Sequence, residues 1–423
     1  MFTAHELVEL ARSNSPFYRE LYRDLPQSGW RFEDLPLIDL ESYRAADSFE
    51  DNRILTAPLT EAMVIRTGGT SGRTKLAFYT NAELTDICRY ISTKNEGNGM
   101  APGDRVATLL PAGNLYASYL FSALALHYAT TPLVVFHFGM DTPFEELVPS
   151  LKEFGIDVLI AFPTLYLKLA RYIAENNLRD GLSIRKIYYF GETMFHDTRE
   201  ELLKVFPAAT IHSSGYSSVD GALIGYVDLG CGFNEHRTPD GLTIVELIDE
   251  ETGELIHDVG RPGKIHITNL ARGLMPVIRY PSGDMARWVE PEGSPNRKFL
   301  LLGRAGEGVR FFGPIFYYND VGNLLFPLNE QYGLLNFQMI SERPEGKDRL
   351  TLRIALRERR NDEAELEEKV RQLMDERYEY LRHNVLEGIM WPLSVEFVAP
   401  EALETSPVTG KSLRVIEKRF RDI

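Results

Sequence analysis

Cysteine is nearly absent: Cys88 and Cys231 are the only two in 423 residues. Two thiols cannot build a disulfide framework, so the composition suits a reducing compartment and a cytoplasmic location is expected. Surplus positive charge is missing too. Against 61 acidic side chains stand 46 basic ones, a formal charge of −15. Such a chain repels phosphate backbones, which argues against a nucleic-acid partner, although one bound nucleotide needs no more than a local nest of donors. No apolar run of membrane length is present. The stretch from Val106 to Phe138 is broken by Pro111, Asn114, His127, Pro132 and His137 and reads as strand, helix and strand. Met1 to Leu10 carries His5, Glu6 and Glu9 and has no apolar heart, which excludes a signal peptide there. No internal repeat or low-complexity tract stands out.

What is present is ordinary globular composition, 44% hydrophobic and 25% charged, at a length that implies two or three domains. The pattern predicts a helix over Ala4 to Leu25, kinked or broken at Pro16. From Arg105 to Tyr216 short apolar runs alternate with helical segments. Strands are expected at Val106–Leu110, Thr131–Phe136, Asp157–Phe162, Ile187–Phe190 and Thr210–His212, with helices between them. This is the rhythm of a mostly parallel sheet covered on both faces. After Gly241 the pattern changes to hairpins, with strands at Leu242–Ile248, Glu254–Ile256, Lys264–Thr268 and Met285–Val289. A third style begins near Gly303: strands at Asn336–Ser341 and Leu350–Leu356, a charged helix over Glu363–Val385, and a strand at Ser394–Val398. The expected architecture is α/β. Residues 1–302 form a large N-terminal domain with a β-rich subdomain at about 230–302, and residues 303–423 a small, mobile α+β domain.

The most informative segment runs from Ile65 to Lys75. Glycines at 68, 69 and 72 let backbone N–H groups converge on an anion without a Cβ in the way. Thr67, Thr70, Ser71 and Thr74 add hydroxyls, and Arg73 and Lys75 add charge. The combination suits a di- or triphosphate. It lacks the spacing of a Walker A loop or of a dinucleotide fingerprint, and by itself it also admits a plain surface turn.

In order along the chain, four further segments carry a resemblance. They are Ser214-Gly-Tyr-Ser-Ser-Val-Asp220, Arg279-Tyr-Pro-Ser-Gly-Asp284, Gly303-Arg-Ala-Gly-Glu-Gly-Val-Arg-Phe-Phe-Gly313 and Ser406-Pro-Val-Thr-Gly-Lys-Ser-Leu-Arg414. With the glycine loop they resemble the motifs of the adenylate-forming superfamily of acyl-CoA synthetases, adenylation domains and luciferases. Asn14-Ser-Pro-Phe-Tyr-Arg-Glu-Leu-Tyr22 and Asp34-Leu-Pro-Leu-Ile-Asp-Leu-Glu-Ser-Tyr43 resemble its phenylacetate-CoA ligase and coenzyme F390 synthetase branch, and within it compact enzymes of phenazine antibiotic biosynthesis. The resemblance spans essentially the whole chain.

It implies an enzyme that uses ATP and Mg²⁺ to join AMP to a carboxylic acid and release pyrophosphate, with coenzyme A as the expected acyl acceptor. Thr67, Gly68, Gly69, Thr70, Ser71 and Gly72 would cradle phosphates beside Lys75. Gly191, Glu192, Thr193, Ser214 and Gly215 would line adenine and the substrate edge, with Tyr216 stacking. Asp220 would approach the metal, Asp284 would hold the ribose, Arg304 belongs to the hinge motif, and Lys411 would be the catalytic lysine. Departures from the usual pattern are Thr74 for proline, Asp220 for glutamate, Ser217 for glycine, and Gly306 with Glu307 where an acidic pair is usual.

The acid pocket would lie near Tyr116, Phe136, Phe138, Phe162 and Gly191. Their aromatic density suits a planar aryl acid and is equally what an α/β core looks like. Transfer of the acyl group to a carrier protein, amine or reductase is the alternative to coenzyme A, and a decayed nucleotide-binding relative is a third reading. Related ligases are often dimers. Cys231 with His236 falls short of a tetrahedral zinc set.

Overall fold

The computed structural model describes all residues except 67–75, 96–98, 192–193, 195, 251, 305–307, 311–314, 359–360, 387, 389, 406–411 and 419–423. The chain divides into two units, Met1–Leu301 and Leu302–Ile423. Helix α1 (Ala4–Asn14) opens on a capping box between Thr3 and Glu6. It stops at Ser15, whose hydroxyl then accepts from Tyr18 N–H and caps α2 (Pro16–Leu21). Proline at a first helical position gives up an N–H that would be unpaired anyway, so the segment breaks there rather than kinks. With α3 (Leu40–Ala46), these helices bury Tyr18, Tyr22 and Tyr43 in the core of the antiparallel sheet described below.

A hairpin of β1 (Met63–Arg66) and β2 (Leu76–Tyr79) leads into α4 (Asn81–Asn95). Thr80 and Glu83 cap that helix reciprocally, and the buried Glu83 carboxylate also accepts from the N–H groups of Gly273 and Leu274, at 2.6 and 2.7 Å. There follow β3 (Arg105–Leu110), α5 (Ala117–His127), β4 (Val134–Gly139), α6 (Phe144–Glu153), β5 (Val158–Ala161), α7 (Pro163–Glu175), β6 (Lys186–Tyr189), α8 (His196–Val205) and β7 (Thr210–Ser213). The five strands make one parallel sheet in the order β4-β3-β5-β6-β7.

Period-2 alternation divides its two faces. Ala107, Leu109, Leu159, Ala161, Ile187 and Ile211 pack with residues of α6, α7 and α8, whereas Val106, Val158, Ile160 and Tyr188 pack with Leu126 of α5 and with Leu133. At the amino ends of the strands, Asp104 is 3% exposed and pairs with Lys186 at 2.5 Å. Strand β4 begins three residues later than expected. Pro132 cannot donate to a ladder, and the pairing starts where Val134 N–H reaches Asp104 O.

Next come β8 (Tyr216–Ser218) and β9 (Ala222–Gly225), a small antiparallel pair. Then β10 (Glu235–Arg237), β11 (Thr243–Ile248), β12 (Pro262–Asn269), β13 (Tyr280–Trp288) and β14 (Lys298–Arg304) form a sheet in the order β10-β14-β13-β12-β11. Glu254–Ile256 contributes a single bridge at Leu255 instead of a strand, and β13 starts five residues before the expected Met285.

The second unit contains β15 (Gly308–Arg310), β16 (Ile315–Tyr317), α9 (Tyr318–Leu325), α10 (Asn329–Tyr332), β17 (Leu334–Glu342), β18 (Arg349–Leu356), α11 (Glu363–Arg377), α12 (Glu379–Leu386), β19 (Ser394–Val398) and β20 (Val415–Glu417). Its four-stranded sheet runs β19-β18-β17-β20. The helix expected over Glu363–Val385 is interrupted at the buried Tyr378, whose ring lies 4.5 Å from that of Phe316. The mixed α/β class expected from the pattern is the one found.

His236 and His266 are buried, and desolvation lowers each from the ordinary value to about 4. Between pH 6.5 and 4 the unfolded chain binds protons that the folded chain refuses, so stability falls as pH falls through that window and is retained above it. The loss is roughly 3 kcal/mol per histidine at full extent. Urea midpoints at pH 7 and pH 5 will show it, and His236→Gln will remove its share of the slope.

Candidate active site

Strands β4 and β5 flank β3 on opposite sides, so the winding direction reverses between β3 and β5. In open α/β sheets the crevice beyond the carboxyl ends at such a point is where ligands bind. Tyr116 stands there as the residue before α5, at the end of a turn that holds Asn114 and Leu115 at positive φ. Phe162 stands there as the residue before α7, with its ring 5.3 Å from that of Phe190. Gly191 has φ +76, and a Cβ on it would lie 2.8 Å from the Phe162 ring, so both backbone and space call for glycine. Phe138 pairs in register with Leu109 near the same strand ends. Phe136 is two residues lower and stacks on Phe154 at 5.2 Å, among residues packed on the α6–α8 side. Ser214 follows β7 directly and donates its N–H to Tyr189 O at 2.7 Å.

The residues expected to cradle phosphate, Thr67, Gly68, Gly69, Thr70, Ser71, Gly72 and Lys75, lie outside the described residues, as do Glu192, Thr193 and Lys411. The flanks of these segments are described. Arg66, before the glycine loop, donates its N–H to Leu115 O at 2.9 Å, and its guanidinium lies 5.4 Å from the Tyr116 ring centroid. One foot of the loop therefore stands on the turn after β3. On either side of 406–411, Thr405 and Ser412 form a bridge, and Gln338 Nε2 donates to both Glu404 O and Leu413 O, at 2.8 and 2.7 Å. The backbone of Arg304 ends β14.

A crossed pair of tyrosine–aspartate hydrogen bonds joins the segments 214–220 and 279–284. Tyr216 donates its hydroxyl to Asp284 Oδ2, and Tyr280 donates its hydroxyl to Asp220 Oδ2 at 3.0 Å. Ser282 Oγ stands 3.3 Å from the Tyr216 hydroxyl and accepts from Asp284 N–H at 3.1 Å. Beneath them lies Arg272, fully buried, which donates to Asp220 O at 2.8 Å and Phe78 O at 3.0 Å. Its guanidinium covers the Tyr79 ring at 3.7 Å, and the Tyr79 hydroxyl donates to Val219 O. Burial pushes Tyr79 up to about 12 and Tyr280 further still, so both remain neutral donors. Arg272 and Tyr79 were not singled out in the sequence, where Asn269-Leu-Ala-Arg-Gly-Leu274 matches no motif, and Tyr280 was quoted within its motif without a role. A charged residue inside an apolar stretch is the one signal available.

Within 214–218 the position that demands glycine is 215. Its φ is +118, and a Cβ there would sit 2.7 Å from Gly225 O. Ser217, where the resemblance expects glycine, is an exposed strand residue. Counted from Gly215, the motif's acid position falls on Ser218; counted from Tyr216, it falls on Asp220. Cys231 donates to Asp228, and burial raises its thiol to about 11, so it stays protonated. Among the described residues no group of three His, Cys, Asp or Glu side chains could hold a metal ion, and no helix is long and apolar enough to cross a membrane.

A parallel sheet with a switch-point crevice at its carboxyl ends, and a segment after β7 clipped to an aspartate of β13, fit the class of nucleotide-binding α/β enzymes. Residues 22–275 match the AMP-binding enzyme family, and the chain belongs to that family. It is similar to a phenylacetate-coenzyme A ligase of Aromatoleum evansii, 25% identical over 438 residues, covering 98% of this chain and 92% of the relative. A phenylacetate-coenzyme A ligase of Pseudomonas putida is 24% identical over 316 residues, covering 70% of this chain and 68% of the relative. Among solved structures, a 2-hydroxyisobutyryl-CoA ligase in the postadenylation state shares the fold with a TM-score of 0.78 at 18% identity, over 98% of this chain and 88% of that one.

The geometry at Gly215 makes a stability prediction. Gly215→Ala forces a left-handed φ and a backbone clash together, and an expected loss is about 2–4 kcal/mol. Ser217→Ala, on an exposed strand position, is expected within about 0.5 kcal/mol of the parent. Urea unfolding of the two variants measures both.

Proposed function

We infer that this enzyme activates a carboxylic acid with MgATP and passes the acyl group to coenzyme A. A carboxylate oxygen of the acid attacks the α-phosphorus, the bond to the β-phosphate bridging oxygen breaks, and pyrophosphate leaves. The sulfur of coenzyme A then attacks the acyl carbon, AMP departs, and the thiol proton passes to solvent. The observation that carries the reading is convergence: the foot of the glycine loop on Leu115 and Tyr116, Phe162 with Gly191, and Ser214 all stand at the carboxyl ends of one parallel sheet. The similarity to phenylacetate-coenzyme A ligases over nearly the whole chain supports the same chemistry.

The reaction brings two anions together, so charge neutralisation and alignment dominate its barrier. Thr67 to Gly72 and Lys75 serve the β- and γ-phosphates, Asp284 the ribose hydroxyls, and Lys411 the carboxylate and α-phosphate. Residues 1–302 are read as the ATP- and acid-binding domain, and Lys411 belongs to 303–423. Magnesium, bound with the nucleotide, would neutralise phosphate charge there. Asp220 would be the protein contact to it rather than Ser218, because Asp220 carries a charge and Ser218 does not. Phe162, Phe190 and Tyr116 suit a planar aryl acid, which the substrate named in the relatives also favours.

The test is pyrophosphate release with MgATP across aryl and alkyl acids, followed by thioester formation with coenzyme A. Acid-dependent release, strongest with an aryl acid, is expected. Lys411→Ala should slow it on the order of 10²-fold or more. An unchanged rate in that variant refutes the mechanism, and hydroxamate trapping indifferent to coenzyme A assigns the acyl group to another acceptor.

A further inference from the structure

The Tyr216 ring makes two edge-to-face contacts. It meets the His236 ring at 5.9 Å and 61° and the Phe299 ring at 6.3 Å and 71°. Its strand is fixed by pairing with Gly225 of β9. The hydroxyl is thereby carried across to β13, where it reaches both Ser282 and Asp284. Burial drives His236 to about 4, so the ring behind Tyr216 stays neutral and does not compete for the Asp284 charge. A phenol donating to a carboxylate makes a charge-assisted bond, which fixes carboxylate rotation as well as position. Ser282 Oγ accepts from Asp284 N–H and so sets the backbone of the same residue.

We propose that the Tyr216 hydroxyl is a positioning group for nucleotide recognition, orienting Asp284 so that its carboxylate meets the sugar hydroxyls of ATP and AMP. The proposal rests on the reading of Asp284 as the ribose residue and gives Tyr216 a role separable from ring stacking. One carboxylate oxygen takes the phenol and the group is turned by it; without the phenol the carboxylate loses that restraint, and each sugar hydroxyl finds its acceptor less well placed. Loss of orientation weakens binding without touching the reacting atoms.

Tyr216→Phe keeps the ring and deletes the hydroxyl, which separates the two roles. The expected result is a rise of about tenfold in KM for ATP with kcat within about threefold of the parent. Deoxy analogues report on the sugar directly. 2′-Deoxy-ATP and 3′-deoxy-ATP each lack one of the hydroxyls that Asp284 receives, so both should shift less than ATP in Tyr216→Phe, and discrimination between ATP and the deoxy forms falls. In an Asp284→Ala background the Tyr216→Phe change should be silent, because coupled residues are not additive. Wild-type KM and discrimination in Tyr216→Phe, equal weakening of ATP and both analogues, or additivity with Asp284→Ala overturns the proposal.

Calorimetric titration with AMP and its two deoxy forms, on protein whose thermal midpoint matches the parent, repeats the comparison without turnover. A parent that binds AMP but releases no pyrophosphate with any acid defeats the activity reading and leaves this comparison decisive for Tyr216. A parent that binds no AMP defeats both.

Discussion

A buried guanidinium holds the nucleotide side of the molecule together. Arg272 is withdrawn fully from water, a placement that costs several kcal/mol unless its protons find acceptors. Two carbonyls serve its terminal nitrogens, Phe78 O from β2 and Asp220 O from the turn after β8, the Tyr79 ring lies 3.7 Å from its centre, and Nε is left buried without a hydrogen-bond acceptor among the described residues. One side chain thus ties the second strand of the glycine-loop hairpin to the segment bearing Asp220. Glu83 completes the frame by capping α4 and receiving the N–H groups that follow Arg272 in the chain. Strand β2, the Asp220 segment and the chain at 269–274 are mutually dependent as a result, although nearly 200 residues separate Phe78 from Arg272.

Above that frame the two tyrosine–aspartate bonds cross, each linking the segments 214–220 and 279–284 in the opposite sense. The N-terminal helices support them. Tyr43 meets Tyr280 edge-on at 5.0 Å, Tyr18 donates to Pro276 O, and Arg279 pairs with the buried Glu246 at 2.9 Å. A residue as remote from the chemistry as Tyr43 therefore helps decide where Asp220 points.

The parallel sheet was readable because its strands are short apolar runs, with β3 and β5 buried along nearly all their length, separated by helical segments. The start of β4 was misplaced because Pro132 and Leu133 look apolar yet cannot begin the ladder. Strands β10, β14 and β20 escaped notice because Glu-His-Arg, Lys298–Arg304 and Val-Ile-Glu carry charge or are too brief to show alternation. In the candidate site, Asp284 was legible as a motif member and Gly191 as a residue the resemblance implies. The need for glycine at 215 rather than 217 was not, since it comes from the approach of Gly225 O, a contact between two strands that sequence spacing does not express.

The sequence by itself determined the α/β class, the glycine-and-hydroxyl loop, the order of five motifs and the acidic, thiol-poor character, because composition, periodicity and local turn chemistry are properties of neighbours along the chain. Tertiary structure alone decided that Arg272 would be the hub, that Tyr216 would hold Asp284 while Tyr280 held Asp220, and that Phe136 would pack beside Phe154. Those outcomes depend on which groups lose their water together, and desolvation is settled by distant segments meeting.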